Sequence, residues 1–303
     1  MSEPNILNQE WFKIIHICLT IISMIGNCFV FVIFILYKKL RSFQFEMVTY
    51  LSLSCFWVNV SYIIYPSAGD TTWCQIQAFL MIWSESCMYS WTVIIAYWLY
   101  DRVVNFDIYA NEKPTLASRI KFYFVGCFIP FLIALIGYII NAFGRDDTWC
   151  WVDSKDNKAG SIYGMFIFGL LWIIIFANFL LFYLIIKYLS KELKSREELE
   201  LFKQYIWKLL KYPIIQLICM TPGTLNRFLK TVLNEDLPMI SAIQLIFTAL
   251  NGILYALAYG YTTQVKSALY ESYMKICCCK KQNLNNSEPM IKSRKSSEYT
   301  DDF

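Results

Sequence analysis

Leu237–Val265 reads LPMISAIQLIFTALNGILYALAYGYTTQV, 29 residues without one formal charge. Coiled as an α-helix it rises about 44 Å, well beyond the roughly 30 Å of a bilayer's hydrocarbon core. Hydrocarbon offers no partner for an exposed peptide group, so an uncharged run this long is read as a membrane-spanning helix.

Working outward, the same pattern recurs. Ile14–Tyr37, Met47–Ala68, Phe122–Gly144 and Ala159–Ile186 carry no charge, and Gln75–Tyr100 carries only Glu85. Tyr212–Asn226 is shorter, held between Lys211 and Arg227; Leu209, Leu210 and the stems of Lys208 and Lys211 extend its apolar band, because lysine heads snorkel to the interface. The whole chain agrees: 57% of its 303 residues are apolar and 17% charged, against roughly 25% charged in soluble domains. The fold class expected is an all-α integral membrane protein, a seven-transmembrane helix bundle plus a short amphipathic surface helix. Its parts are a short extracellular N-terminus (1–11), the bundle (12–265), an amphipathic helix with a cysteine cluster (266–280) and a disordered cytoplasmic tail (281–303).

Basic residues orient the bundle. With the N-terminus outside, 21 of the 27 Lys and Arg fall on the inner side, and an excess there marks the cytoplasmic face. An outside N-terminus and cytoplasmic C-terminus in the plasma membrane are expected, and that parity requires an odd number of spans. The dozen residues before the first span show no basic n-region and no small-residue cleavage site, so no cleaved signal is expected.

The cysteines separate by position. Cys18, Cys28, Cys55, Cys87, Cys127 and Cys219 lie in spans, where a small apolar packing role is the ordinary reading. Cys74 and Cys150 are the two on the outer side, where disulfides persist. A bridge between them would pin the loop after the fourth span across the bundle mouth. Cys277, Cys278 and Cys279 follow a segment in which Val265, Ala268, Leu269, Ser272, Tyr273 and Ile276 recur at helical spacing. Cysteines beside such a membrane-surface helix are palmitoylation candidates, and no histidine stands near them to suggest a metal.

Short motifs then point to a family. Gly26-Asn27 sits in the first span, Tyr100-Asp101-Arg102-Val103 ends the third, Cys219-Met220-Thr221-Pro222 lies in the sixth and Asn251-Gly252-Ile253-Leu254-Tyr255 in the seventh. Together they resemble the G-protein-coupled receptors. They are similar to the Asp/Glu-Arg-Tyr, Cys-Trp-x-Pro and Asn-Pro-x-x-Tyr elements, with tryptophan missing from the second and glycine for proline in the third. The second span lacks the acidic residue of rhodopsin-like receptors, and the fifth lacks their proline. Asp147-Thr148-Trp149-Cys150-Trp151-Val152 and Lys211-Tyr212-Pro213…Pro222…Asn226-Arg227 look more like the cyclic-AMP-receptor-like branch. The secretin and adhesion branches share the Cys-Trp of this loop but usually bring a large extracellular domain.

The resemblance implies a receptor that senses a small extracellular ligand and activates a heterotrimeric G protein, with membrane lipids as its other partners. Asp101 and Arg102 would meet the G protein. Pro213 and Pro222, with Asn251, Gly252 and Tyr255, would form the switch, because each proline removes a backbone bond and can kink the sixth helix, as Gly252 can the seventh. Glu85 falls near mid-bilayer, eleven residues beyond Cys74. It is either a ligand or ion contact, with Tyr89 and Thr92 on the same face, or a protonated, hydrogen-bonded structural acid. Trp151 and Arg227 complete the candidate ligand contacts. The branch suggests a cyclic nucleotide or similar anion, yet Asp146, Asp147, Asp153, Asp156, Glu235 and Asp236 balance the outer cations. Ser293, Ser296, Ser297 and Thr300 in the polar tail are phosphorylation candidates.

Other classes fit less well. A retinal protein needs a lysine in the last span, and Leu237–Val265 has none. A transporter would show internal repeats and broken polar helices. An enzyme would need clustered His, Asp or Glu, and the chain has a single histidine. No cofactor, metal, catalytic residue or nucleic-acid partner is expected. A non-coupling seven-helix scaffold is the remaining alternative.

Overall fold

The computed structural model describes residues 9–64, 71–104, 114–146, 149–153, 157–192, 196–229, 238–260 and 262–285. Among the described residues up to Gly260, seven long helices follow one another: α1 Glu10–Leu36, α2 Phe43–Ile63, α3 Thr71–Val104, α4 Leu116–Ile139, α5 Lys158–Glu192, α6 Arg196–Phe228 and α7 Pro238–Gly260. A two-stranded antiparallel hairpin, β1 Phe143–Asp146 and β2 Trp149–Val152, lies between α4 and α5. The chain divides into two compact units, Met1–Thr262 and Thr263–Phe303. The second holds α8, Thr263–Asn285.

The helices are built inside out relative to soluble ones. In α1 the buried line is His16, Thr20, Ser23, Asn27 and Val30, while Ile14, Ile21, Ile22 and Ile25 face outward. Lipid is as apolar as isoleucine, so apolar side chains gain nothing by turning inward; small and polar residues do, by close packing and interhelical bonds. Helix α3 is the exception. It is buried on nearly all sides, from Ala78 and Met81 through Trp91 to Leu99 and Val103, and forms the axis against which α2, α4, α5 and α6 pack.

Five helices, α1, α3, α4, α5 and α7, are long and apolar enough to cross a membrane; α2 and α6 fall short of that measure. For α6 the cause is its charged first half, Arg196–Lys211. For α2 it is the polar inward residues Ser52, Ser54, Asn59 and Ser61, all buried within the bundle.

Several boundaries differ from those read off hydropathy. The run Phe122–Gly144 is helical only to Ile139, and Phe143 and Gly144 are strand. The stop is a Schellman cap: Ala142 N donates to Gly137 O at 2.9 Å, and Asn141 N to Tyr138 O at 3.1 Å. Asn141 takes the left-handed conformation, φ 52°, that this cap requires and asparagine tolerates. Uncharged loop residues look like a continued span to a hydropathy count, so the expected all-α chain carries a hairpin as well. Likewise Leu237–Val265 is one uncharged run but two helices: α7 ends at Gly260, and Val265 belongs to α8.

Candidate functional site

The disulfide joins Cys74, in the first turn of α3, to Cys150 in β2, 76 residues apart in the chain. Gln77 completes the clamp. Its amide nitrogen donates to Ser61 O at 2.9 Å and Ile64 O at 2.6 Å, at the end of α2, and its oxygen accepts from Cys150 N at 2.8 Å. Gln75 donates to Phe143 O at 3.0 Å. The hairpin is thereby fixed to two helices, and its register sets Trp149 edge-on to Tyr62. On the α5 side Gly160 is obligatory, since a Cβ there would fall 1.9 Å from Asp153 O. Asn157 caps α5 by accepting from Ala159 N at 2.9 Å.

Below this cap, described residues line a cavity on each side of α5. The first, about 220 Å³, is walled by α3, α4, α5 and Trp151 of β2. Glu85 and Tyr89 line it, so three of the expected ligand contacts, Glu85, Tyr89 and Trp151, do meet around one space. The second, about 250 Å³, lies among α3, α5 and α6, and Tyr89 and Thr92 line it with Asn178, Gln216 and Met220. Tyr89 stands between the two and donates to Met220 Sδ at 3.2 Å. Thr92 spends its hydroxyl on its own helix, donating to Met88 O at 2.8 Å. Arg227 is in the last turn of α6; its side chain lies outside the described residues.

Toward the other end of the bundle the polar residues of α6 and α7 converge. Gln216, between Pro213 and Pro222, accepts at Oε1 from Asn251 Nδ2 at 3.0 Å and from the Tyr255 hydroxyl at 2.5 Å. Asn251 also approaches Met88 Sδ of α3 at 3.5 Å. All four side chains are buried. A carbonyl oxygen has two lone pairs, and both are used here to hold α6 to α7. Higher up, Asn226 donates to Gln244 at 2.8 Å and accepts from Ser241 at 3.2 Å, a second bond set between the same helices.

Gly252 differs from its expected role. Helix α7 runs through it unbroken. A Cβ there would lie 2.3 Å from Asn27 Nδ2, 2.4 Å from Ser23 Oγ and 2.7 Å from Ser23 O. Its N–H donates to Ser23 Oγ at 3.1 Å, and Asn59 Nδ2 of α2 donates to the same hydroxyl at 2.9 Å. Gly26 returns the approach, with the Gly252 carbonyl 2.9 Å from its absent Cβ. Gly252 is therefore a contact glycine that lets α1 and α7 touch backbone to backbone, where the sequence suggested a kink. Both prolines of α6 also sit within a continuous helix.

At the far end of α3 from the disulfide, Arg102 is buried and stacks over Trp98, 4.4 Å from the ring centroid. Phe43 and Phe122 pack edge-on to the same indole. Tyr188 of α5 donates to Val104 O at 3.1 Å. Nearby, Arg119 of α4 pairs with Glu46 of α2 at 2.6 and 2.7 Å, and the Tyr123 hydroxyl donates to the same carboxylate. Asp101 is half-buried in the last turn of α3.

A disulfide thus runs from the start of the third helix to the loop before the fifth, and a polar junction joins the sixth helix to the seventh. The sequence model of the 7 transmembrane receptor (Secretin family) matches residues 9–255. The chain belongs to that family. A cyclic AMP receptor-like protein A of Dictyostelium discoideum is 26% identical over 278 residues, 89% of this chain and 70% of its own length. G-protein coupled receptor 1 of Arabidopsis thaliana is 24% identical over 82% of this chain and 78% of its own. Cyclic AMP receptor 2 of Dictyostelium discoideum is 24% identical over 62% of this chain and 48% of its own. The family is one of receptors rather than enzymes, embedded in membranes by several spans.

Sequence reasoning missed Gln216, Gln77, Ser23 and Asn59. A signal existed for each: an amide or hydroxyl in an apolar span must find a partner. The partner's identity was not in the signal. The cysteine cluster Cys277, Cys278 and Cys279 falls within α8, but its side chains lie outside the described residues, as do Ser293, Ser296, Ser297 and Thr300 entirely.

Proposed function

We propose that this chain is a G-protein-coupled receptor whose disulfide end faces outward and whose Arg102 end faces the cytoplasm. A small ligand entering the space beside α3 changes the contacts of Tyr89 and Met220, and so the seating of α6. The observation that carries the reading is Gln216: one side chain lines a cavity and bonds both Asn251 and Tyr255. Occupancy of the cavity and the hold between α6 and α7 are thus coupled through one residue. Pro213 and Pro222 each deprive α6 of a backbone bond, so that helix has the weakest internal resistance to a second packing. A ligand that prefers the second packing shifts the population toward it. Release of α6 at the Arg102 end opens a surface for a heterotrimeric G protein, with Arg102 leaving Trp98 to meet it.

Two relatives carry cyclic AMP in their names. Among the described residues lining the two cavities, however, there is no Lys, Arg or His, and Glu85 stands in the first. A buried phosphate there would lack a counter-ion and face a carboxylate, which is costly. These two cavities therefore suit an uncharged or cationic ligand better than an anion.

The orientation has support in the 21 of 27 basic residues that it puts inside. Acylation at Cys277, Cys278 and Cys279 would anchor α8, and phosphorylation at Ser293, Ser296, Ser297 and Thr300 would reverse the local charge of the tail. The test is nucleotide exchange on a co-expressed heterotrimeric G protein, comparing wild type with Arg102→Ala. Exchange by the wild type should exceed the variant several-fold; equal rates under all conditions would mean a non-coupling scaffold. A C-terminal tag accessible on intact cells would overturn the orientation.

A further inference from the structure

The two cavities beside α5 share Tyr89 and Ile174 and both reach the outside of the bundle. At the mouth of the first stand Val125 and Ile129 of α4, 44% and 37% exposed. Both belong to a helix apolar enough to cross the bilayer, as does the facing α5. The mouth therefore opens among acyl chains rather than water. Inside, one wall is aliphatic, with Ile133, Ile167, Leu170 and Ile174, and the other is the polar edge of α3, with Glu85, Ser86 and Ser90. At about 220 Å³ the space is smaller than the roughly 300–1,000 Å³ that encloses a drug-sized ligand. A chain too long for this space would keep its remainder in the bilayer.

We propose that the crevice between α4 and α5 binds a membrane-partitioned amphiphile, an aliphatic chain bearing one amine head. The head meets Glu85, and the chain runs along Leu170 and Ile174 and out past Val125. Glu85 is buried and has interactions within the protein. A carboxyl oxygen can accept more than one hydrogen bond, so an amine head would join the contacts that Glu85 already makes. An ammonium at this depth is costly alone, and a facing carboxylate offsets that cost where a hydroxyl would do so weakly and an acid would add to it. Ser86 and Ser90, one turn apart on the same helix face, offer further acceptors. Tyr89 and Ile174 line both cavities, so an occupant here reaches the Gln216 cavity through those side chains; the proposal rests on the receptor reading only for that signalling consequence.

The test uses the full chain in lipid nanodiscs and three photoactivatable, clickable probes: a twelve-carbon amine, its carboxylic acid and its alcohol, each with a diazirine in the chain. The amine should label peptides from α3, α4 and α5 about tenfold more than the acid, the margin that a hydrogen bond to a charged group supplies. Glu85→Gln should remove that preference, and Glu85→Asp should keep it. Leu170→Trp, which fills the crevice from a half-buried position, should abolish labelling there. Phe176→Trp, on the same helix but 70% exposed and outside both cavities, should leave it intact. Thermal unfolding of each variant identifies any that fails to fold, and Glu85→Asp and Phe176→Trp stand as its folded controls. Equal labelling by amine and acid overturns the proposal, and equal labelling by amine and alcohol overturns the amine head. Labelling spread along the lipid faces of α1, α4 and α5 regardless of Leu170→Trp overturns the crevice. Site-specific labelling without G-protein exchange would sink the receptor reading alone. Exchange driven by another ligand, without labelling, would sink this proposal alone.

Discussion

One side of the bundle is α1, α2 and α7; the other is α5 and α6 against α3. On the first, Ser23 Oγ accepts from Asn59 and from the backbone of Gly252, and two glycines bring α1 and α7 into backbone contact. On the second, two cavities separate α5 from α4 and from α6, and the side chains that cross them are flexible, Met220 above all. The lesson is physical. In lipid, stability comes from close approach and satisfied polar groups, so a side deprived of close approach is the side that can move. The same chain holds a closely packed half and a half with cavities, and Gln216 joins the two.

The largest effect is expected at the cap that spans both halves. Replacing Cys74 and Cys150 by serine frees a 76-residue separation and should cost about 2–5 kcal/mol, seen as a lower unfolding temperature in nanodiscs. An unchanged temperature would mean that the Gln77 clamp alone holds the hairpin. Next comes Gly252→Ala, whose Cβ meets Asn27 and Ser23 at 2.3–2.7 Å. Overpacking of that kind costs about 1–3 kcal/mol, with loss of folded yield as the readout; tolerance of the alanine would break the distinction between the two halves. Gln216→Leu removes the acceptor shared by Asn251 and Tyr255. It should weaken the α6–α7 hold by about 1–2 kcal/mol, and so raise ligand-independent nucleotide exchange by roughly 5- to 30-fold. Exchange at the wild-type level would show that the hold is structural and not a switch. The smallest effect sharpens the contrast by its absence: Gly169→Ala on α5 meets nothing within 4 Å and should stabilise the helix slightly, by about 0.5–1 kcal/mol.

The spans themselves were legible because hydrocarbon imposes a length and forbids charge, and both can be counted. The limits of that counting are equally physical. Asn141–Gly144 is uncharged, so it reads as membrane, although a left-handed Asn141 ends the helix and a strand follows. Helix α2 read as an ordinary span, although Ser52, Ser54, Asn59 and Ser61 are buried against protein rather than lipid. At the candidate site, Glu85, Tyr89 and Trp151 were marked by charge and motif and do line one cavity. Gln216 went unnoticed because nothing in α6 says which amide of which helix it will meet.

Sequence by itself determined how many long helices make up the bundle, where their charges lie and which two cysteines share an end, since each is a property of a segment in a given solvent. Tertiary structure alone decided that Gly252 is a contact and not a kink, that Arg102 rests on Trp98, and that Gln216 closes α6 onto α7. Such facts are distances between segments far apart in the chain. They follow from how the helices pack in three dimensions, and that packing is set by all of the segments together.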